Sequence, residues 1–104
     1  MEKNPLLVFQ KEAPEIADAY NQLIMALVKT QGLDSKTKQL IYIAMKIVTS
    51  DFVAIKYHVP MAKKAGATRD EVLETVLLSL TVCGLKGISH CLSDVLDIYD
   101  QTEN

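Results

Sequence analysis

The sequence of 104 residues has only two cysteines, four glycines and three prolines, and it contains no long apolar run. Two cysteines, Cys83 and Cys91, are too few for the disulfide framework of a small secreted protein. No apolar stretch approaches the roughly 20 residues that a membrane span requires, and residues 1–5 are too polar and too short for a secretory signal. We therefore expect a protein of the cytoplasm.

The sequence also has no excess of positive charge. Eleven Lys and Arg residues stand against thirteen Asp and Glu residues, which gives a formal net charge of -2. The basic residues are scattered, so no positive field would attract a phosphate backbone. We expect neither nucleic acid nor a membrane as a partner, and no motif indicates a cofactor or a metal.

What the sequence does have is apolar side chains at helical spacing. Hydrophobic residues make up 49% of the chain, enough for one modest core, so we predict a single domain over residues 1–104. The apolar positions recur every three to four residues and no alternating strand pattern competes, which predicts a compact all-α fold of about five helices. The predicted helices run from Pro14 to Gly32, from an Asp34 or Ser35 cap to Val48, from a Ser50 cap to Gly66, from Thr68 to Gly84, and from Ile88 to Tyr99.

Two of these helices have distinctive features. Pro60 removes the backbone hydrogen bond to the carbonyl of Lys56, which predicts a kink or a break in the third helix. The fourth helix starts at a capping box of Thr68 and Glu71 and is apolar on nearly every side around residues 76–82. A monomer of this size could not bury so much apolar surface, which indicates a homo-oligomer. The alternative is that this helix is central and is surrounded by the other four. The residues from Asp100 onward are expected to fray.

Three blocks in order resemble the carboxymuconolactone decarboxylase and alkylhydroperoxidase-D-like family. The first is Leu33-Asp34-Ser35-Lys36-Thr37-Lys38-Gln39-Leu40-Ile41. The second is His58 followed by Gly66-Ala67-Thr68-Arg69-Asp70-Glu71-Val72, and the third is Cys83-Gly84. The resemblance implies the alkylhydroperoxidase-D-like helical fold, a trimer or a hexamer, and a small-molecule ligand or substrate.

The sequence departs from the peroxidase branch of that family at its catalytic residues. The two cysteines of the branch fall at Asp51 and Ala54, its glutamate falls at Gln39, and its second histidine falls at Val53. Only His58 is kept. A thiolate must attack the peroxide and a second thiol must resolve the sulfenic acid, so Asp51 and Ala54 cannot perform that reaction. In its catalytic residues the chain therefore resembles the decarboxylase branch more, since that branch also lacks the cysteine pair and keeps the histidine.

We take His58, Asp51 and Gln39 as the candidate catalytic residues. Asp51 and His58 are seven residues apart, which places them on one face of a continuous helix as a candidate acid/base pair. The alternative is that Asp51 complements the helix dipole and His58 is a hydrogen-bonded core residue. Gln39, Tyr42 and Lys46 share one side of the second helix and either line a pocket or form a solvated face.

The remaining histidine does not indicate a metal site. His90 is adjacent to Cys91, but zinc needs three or four convergent ligands and no second motif supplies them. We expect Cys91 on the apolar stripe of the last helix and His90 facing Asp94 and water.

Three functions remain open. The first is a decarboxylase-like lyase in which His58 transfers a proton. The second is a peroxiredoxin-type antioxidant protein that detoxifies peroxide or oxygen through Cys83 and Cys91. The third is a non-catalytic oligomeric protein that binds a ligand.

Overall fold

The computed structural model describes residues 4–103, which contain helices and turns and no strand. This confirms the all-α prediction, although the helices are more numerous than the five expected. They are α1 (Pro5–Glu12), α2 (Pro14–Lys29), α3 (Ser35–Val48), α4 (Phe52–Lys64), α5 (Arg69–Leu78), α6 (Leu80–Cys83), a π-helical turn (Ile88–Leu92) and α7 (Ser93–Gln101). None of these helices is both long and apolar enough to cross a membrane.

The chain falls into two units, and the first ends at Gly32. It holds α1, which the sequence analysis missed, and α2. The side chain of Asn4 caps α1 by accepting a hydrogen bond from the N–H of Leu6. The rings of Phe9 and Tyr20 meet edge to face at 6.2 Å, so the two helices of this unit pack against each other.

The second unit begins at Leu33 and contains the core. Its buried residues are mostly β-branched, and burial of each such side chain stabilises the fold by roughly 1.5–3 kcal/mol. The cluster draws on α3, α4, α5, the π-helical turn and α7, and it comprises Ile43, Ile47, Ile55, Val59, Ala62, Ala67, Val72, Val76, Cys91 and Val95. The packing of α3 along α4 is the most extensive in the unit, and it positions the candidate site.

The turn between α3 and α4 is a Schellman motif. Ser50 adopts a left-handed conformation with φ of 63°, and the N–H of Asp51 donates to the carbonyl of Lys46 at 2.8 Å. The side chain of Asp51 then accepts from the N–H of Ala54 at 3.2 Å. The prediction that Ser50 caps α4 is therefore wrong, because its backbone closes α3 and leaves the cap to Asp51.

A kink or a break was expected at Pro60; helix α4 continues through this residue, so the break does not occur. The missing hydrogen bond is local, and the fully buried side chains Val59 and Ala62 anchor the helix on either side of the proline. The helix ends in a second Schellman motif, in which Gly66 has φ of 100° and the N–H of Ala67 donates to the carbonyl of Ala62.

The predicted fourth helix is interrupted at Ser79, between α5 and α6. The hydroxyl of Ser79 donates to the carbonyl of Val76 at 2.6 Å, and Gly87 packs directly against it. A Cβ atom on Gly87 would lie 2.8 Å from Ser79 Oγ and 2.9 Å from Ile47 Cγ2. The interruption thus brings Ser79 and the chain before the π-helical turn into close contact.

The chain end is held in place as far as Thr102, contrary to the expected fraying. Lys63 Nζ donates to the carbonyls of Tyr99 and Thr102 at 2.8 and 2.6 Å. Arg69 forms a two-pronged ion pair with Asp100. A lysine that satisfies the last carbonyls of a helix complements its dipole, which explains the order of this segment. Residue 104 lies outside the described residues.

Candidate functional site

Helices α3 and α4 bring two of the candidate residues into direct contact. His58 Nδ1 lies 2.9 Å from Gln39 Oε1, although the residues are 19 positions apart. Both side chains are half-buried. The hydrogen bond fixes the imidazole ring at the interface of the two helices while part of the ring remains accessible.

Tyr42 supports the other side of this histidine. Its ring stacks on that of His58 with a centroid distance of 5.1 Å and an interplanar angle of 18°. Tyr42 lies one turn after Gln39 on α3, so one helix face supplies both contacts to the imidazole. The result is a histidine held by a hydrogen bond within its plane and by an aromatic ring on its face.

Asp51 lies at the start of α4, where it acts as the helix cap. Its second carboxylate oxygen accepts from Lys46 Nζ at 3.3 Å. The hydrogen bond from the Ala54 N–H is the main cause that lowers the pKa of Asp51, and the hydrogen bond from Lys46 contributes next. Asp51 is therefore a carboxylate at neutral pH, and its two oxygens accept hydrogen bonds from Ala54 and Lys46 rather than from His58.

The charges of Lys46 and Asp51 act on His58 in opposite directions. Burial lowers the pKa of His58 below its ordinary value of 6.5, the cation of Lys46 lowers it further, and the anion of Asp51 opposes both. The net direction is downward, so the imidazole is mostly neutral at pH 7.

The partner of Nδ1 determines which tautomer of neutral His58 is present. Gln39 offers its carbonyl oxygen, which can only accept, so Nδ1 must carry the proton. The other ring nitrogen, Nε2, then has a free lone pair. Chemically, this arrangement is a histidine prepared to accept a proton at Nε2.

Neither cysteine has the surroundings of a reactive thiol. Cys91 is buried, and burial raises the pKa of its thiol, with the negative charge of Asp94 as a further cause. Its Sγ donates to the carbonyl of Gly87 at 3.1 Å, and Cys83 Sγ donates to the carbonyl of Ser79 at 3.5 Å. Each Sγ is thus engaged as a hydrogen-bond donor, and the raised pKa of Cys91 is unfavourable for nucleophilic attack.

The second histidine makes a contact that the sequence did not predict. Cys91 is buried in the apolar cluster, as the helical spacing predicted. His90 is exposed to solvent, as expected, and its ring also stacks on that of Phe52 of α4 with centroids 5.4 Å apart. The two rings are 38 positions apart, and no local signal in the sequence could have paired them.

Together the fold and the site define an all-helical protein with a histidine held by a glutamine and a tyrosine between two packed helices. The sequence profile of the carboxymuconolactone decarboxylase family matches residues 14–93. The chain belongs to the carboxymuconolactone decarboxylase family, as the three sequence blocks indicated.

Two other proteins are similar to this chain. A Paracoccus denitrificans protein, named uncharacterized protein 4 in the cox locus, is 36% identical over 88 residues, which cover 85% of this chain and 78% of the relative. A crystal structure from Burkholderia xenovorans LB400, provisionally named a carboxymuconolactone decarboxylase, superposes with a TM-score of 0.86 at 24% identity. That match covers 96% of this chain and 78% of the other, and at this identity it shows a shared fold.

Proposed function

We propose that this protein is a small-molecule enzyme, a decarboxylase-like lyase, in which His58 transfers the proton. The observation that carries the proposal is the hydrogen bond from His58 Nδ1–H to Gln39, which leaves Nε2 as a free acceptor. A base with a pKa near or below neutrality is present in its proton-accepting form under ordinary conditions. Family membership supports the reaction class.

The chemistry assigns a different role to each candidate residue. In the proposed reaction, Nε2 of His58 takes the proton of a substrate carboxyl group that lies β to a carbonyl; the C–C bond to that carboxylate breaks, CO₂ leaves, and the electron pair of the bond moves onto the carbonyl oxygen as an enolate. The same nitrogen then delivers its proton to the enolate carbon, and the reverse of this last step, removal of a proton from a carbon next to a carbonyl, is seen as exchange. Gln39 and Tyr42 hold the ring in position, while Asp51 acts only through its charge and its cap. The ammonium of Lys46 would attract a substrate with a carboxylate group.

Proton transfer to carbon can be tested without knowing the full reaction. A panel of small β-keto acids and lactone carboxylates is incubated with the protein in D₂O, and loss of the proton signal next to the carbonyl is followed by NMR. We expect exchange with at least one compound and a loss of about 10²-fold or more in His58→Gln. The matched control is His90→Gln, which removes the other histidine and should retain exchange.

The alternatives make different predictions in the same experiment. An antioxidant protein would consume peroxide with a thiol reductant and lose that activity in Cys83→Ser/Cys91→Ser. A non-catalytic binding protein would show ligand-dependent shifts at His58 without any exchange. Exchange that is equal in the wild type and in His58→Gln would refute the role of His58.

We also propose that the chain assembles as a homo-oligomer, either a trimer or a hexamer. The support is a set of large apolar side chains around α5 and α6 that remain exposed in one chain, among them Leu78 at 65%, Val82 at 68% and Leu85 at 67%. Exposed apolar surface of this kind favours association. Light scattering should report three or six chains for the wild type and a smaller species for Leu78→Lys/Val82→Lys. A monomeric wild type at micromolar concentration would refute the assembly.

A further inference from the structure

A cavity of about 120 Å³ lies between α4, the π-helical turn and α7. Ile55, Cys91 and Val95 line it and are almost completely buried, so its floor is apolar. Phe52 and His90, whose rings stack at 5.4 Å, also line it and tie α4 to the π-helical turn.

The rim of the cavity carries charges of both signs. Lys56 on α4 and Asp94 on α7 line it, and both residues are exposed. The ion pairs between residues of the described chain join Lys36 to Glu71, Lys46 to Asp51 and Arg69 to Asp100, so Lys56 and Asp94 do not form one with each other. Each charge is therefore free to interact with a ligand at the mouth.

This cavity is separate from the site at His58. His58 follows Phe52 by six residues, which is a rotation of about 240° around α4. His58 contacts Gln39 and Tyr42 of α3, whereas Phe52 and Lys56 line the cavity beside α7. Helix α4 thus presents the histidine on one side and the cavity on another.

We propose that this cavity binds a small, flat, uncharged molecule that carries one hydroxyl or amide group. A cavity of about 150 Å³ lined by apolar residues is large enough for benzene, so about 120 Å³ with an open side suits a body of about six heavy atoms. The apolar floor takes the body, and the rim offers Lys56 as a donor and Asp94 as an acceptor for the polar group.

The balance of charge at the rim selects against ions. An anion attracted by Lys56 also meets the repulsion of Asp94, and a cation attracted by Asp94 meets that of Lys56. An uncharged molecule avoids both penalties. The π-helical turn adds a second argument, because such turns are rare in proteins and are frequently found at functional sites.

The test uses phenol as the neutral probe, with benzoate and benzylammonium as ions of similar size. Binding to the full-length protein is followed by ¹⁵N NMR titration. We expect phenol to shift the amides around residues 52–56 and 90–94 and to bind more tightly than either ion. Because exposed charges contribute modestly, Lys56→Met should raise benzylammonium affinity by about two- to five-fold and Asp94→Asn should raise benzoate affinity similarly.

Matched controls separate the rim charges from the net charge of the protein. Lys64→Met and Asp97→Asn make the same changes on α4 and α7 outside the cavity, and they should leave the three affinities unchanged. His58→Gln should leave phenol binding unchanged too, so the cavity and the proposed enzyme activity succeed or fail separately. Phenol shifts spread away from the cavity, or equal responses of the rim and control variants, would overturn the proposal.

Discussion

Asp51 contacts Lys46 twice, since its N–H donates to the Lys46 carbonyl at 2.8 Å and its carboxylate accepts from the Lys46 ammonium at 3.3 Å. This double contact closes α3, caps α4 and sets two opposite charges near His58. The two charges can be removed one at a time, which makes their effects on the histidine measurable.

Removing either charge should shift the pKa of His58 in a known direction. Lys46→Met should raise it, because the cation that disfavours the imidazolium is lost. Asp51→Asn should lower it, and asparagine still caps the helix about as well as aspartate. NMR titration of the His58 ring proton measures both shifts. Shifts of the same sign in the two variants would contradict the electrostatic account.

A substitution of Gln39, whose side chain is hydrogen-bonded to His58 Nδ1, should change the pKa of His58 more than either of those substitutions. Gln39→Glu places a carboxylate at hydrogen-bond distance from the ring, which stabilises the imidazolium and raises the pKa of His58. As a base, Nε2 would then be protonated more often at neutral pH, so deuterium exchange should fall at pH 7 and recover at higher pH. The control is Gln101→Glu, which adds the same charge on α7.

Stability should depend on pH through the same histidine. Since the pKa of His58 is lowered in the folded chain, the unfolded chain binds more protons below its ordinary value of 6.5. This contribution to stability is complete above pH 6.5 and declines as the pH falls below it. Urea midpoints measured between about pH 7.5 and 5.5 should therefore fall less in His58→Gln than in the wild type. A steeper fall in the variant would refute the direction of the shift.

The two Schellman turns allow a paired test of backbone conformation. Ser50 and Gly66 have φ of 63° and 100°, a region that costs a residue with a Cβ atom about 1–2 kcal/mol. Ser50→Gly removes this cost, but glycine loses more conformational entropy on folding, so we expect a net stabilisation of about 0.5–1 kcal/mol. Gly66→Ala introduces the cost, so we expect a destabilisation of about 1 kcal/mol. Chemical denaturation measures both, and a destabilised Ser50→Gly would contradict the expectation.

A side chain at position 87 should destabilise the protein. A Cβ atom there would lie within 3 Å of both Ser79 and Ile47, so Gly87→Ala should cost about 1–3 kcal/mol. Gly32→Ala is the control, because no atom lies within 4 Å of a Cβ at that position. Equal melting temperatures for Gly87→Ala and Gly32→Ala would contradict this, because they would show that Ser79 and Ile47 can move to accommodate the added methyl group.

The sequence predicted the features that depend on local chemistry. The Thr68 and Glu71 capping box has both of its hydrogen bonds, and Gly66 closes α4 in the left-handed region. The cap at the start of α4 was assigned one residue early, because Ser50 and Asp51 are both good caps and only the Schellman geometry decides between them. Helix α1 was missed because its apolar face is short, although Asn4 and Pro5 form a typical start.

The candidate site was predictable only in part, because its contacts cross between helices. Family resemblance selected Gln39 and His58, and the structure places them in contact; their catalytic role remains a prediction. The seven-residue spacing predicted that Asp51 and His58 belong to the same helix. It could not show that both carboxylate oxygens of Asp51 accept hydrogen bonds from Ala54 and Lys46. The stack of Phe52 on His90, and the cavity beside it, depend on the π-helical turn, for which the sequence has no recognised signal.

That π-helical turn makes the length of residues 88–92 a determinant of what the cavity contains. A π turn has one residue more than the α-helical turn it replaces, and each residue on a helix is about 100° around the axis from the next. Deletion of Ser89 would return the segment to α-helical register and rotate the remaining residues of the turn, His90 among them, relative to α7. His90 would then leave Phe52 while Asp94 and Val95 kept their positions. In relatives with one residue fewer here, we therefore expect a differently lined cavity on an unchanged helical frame.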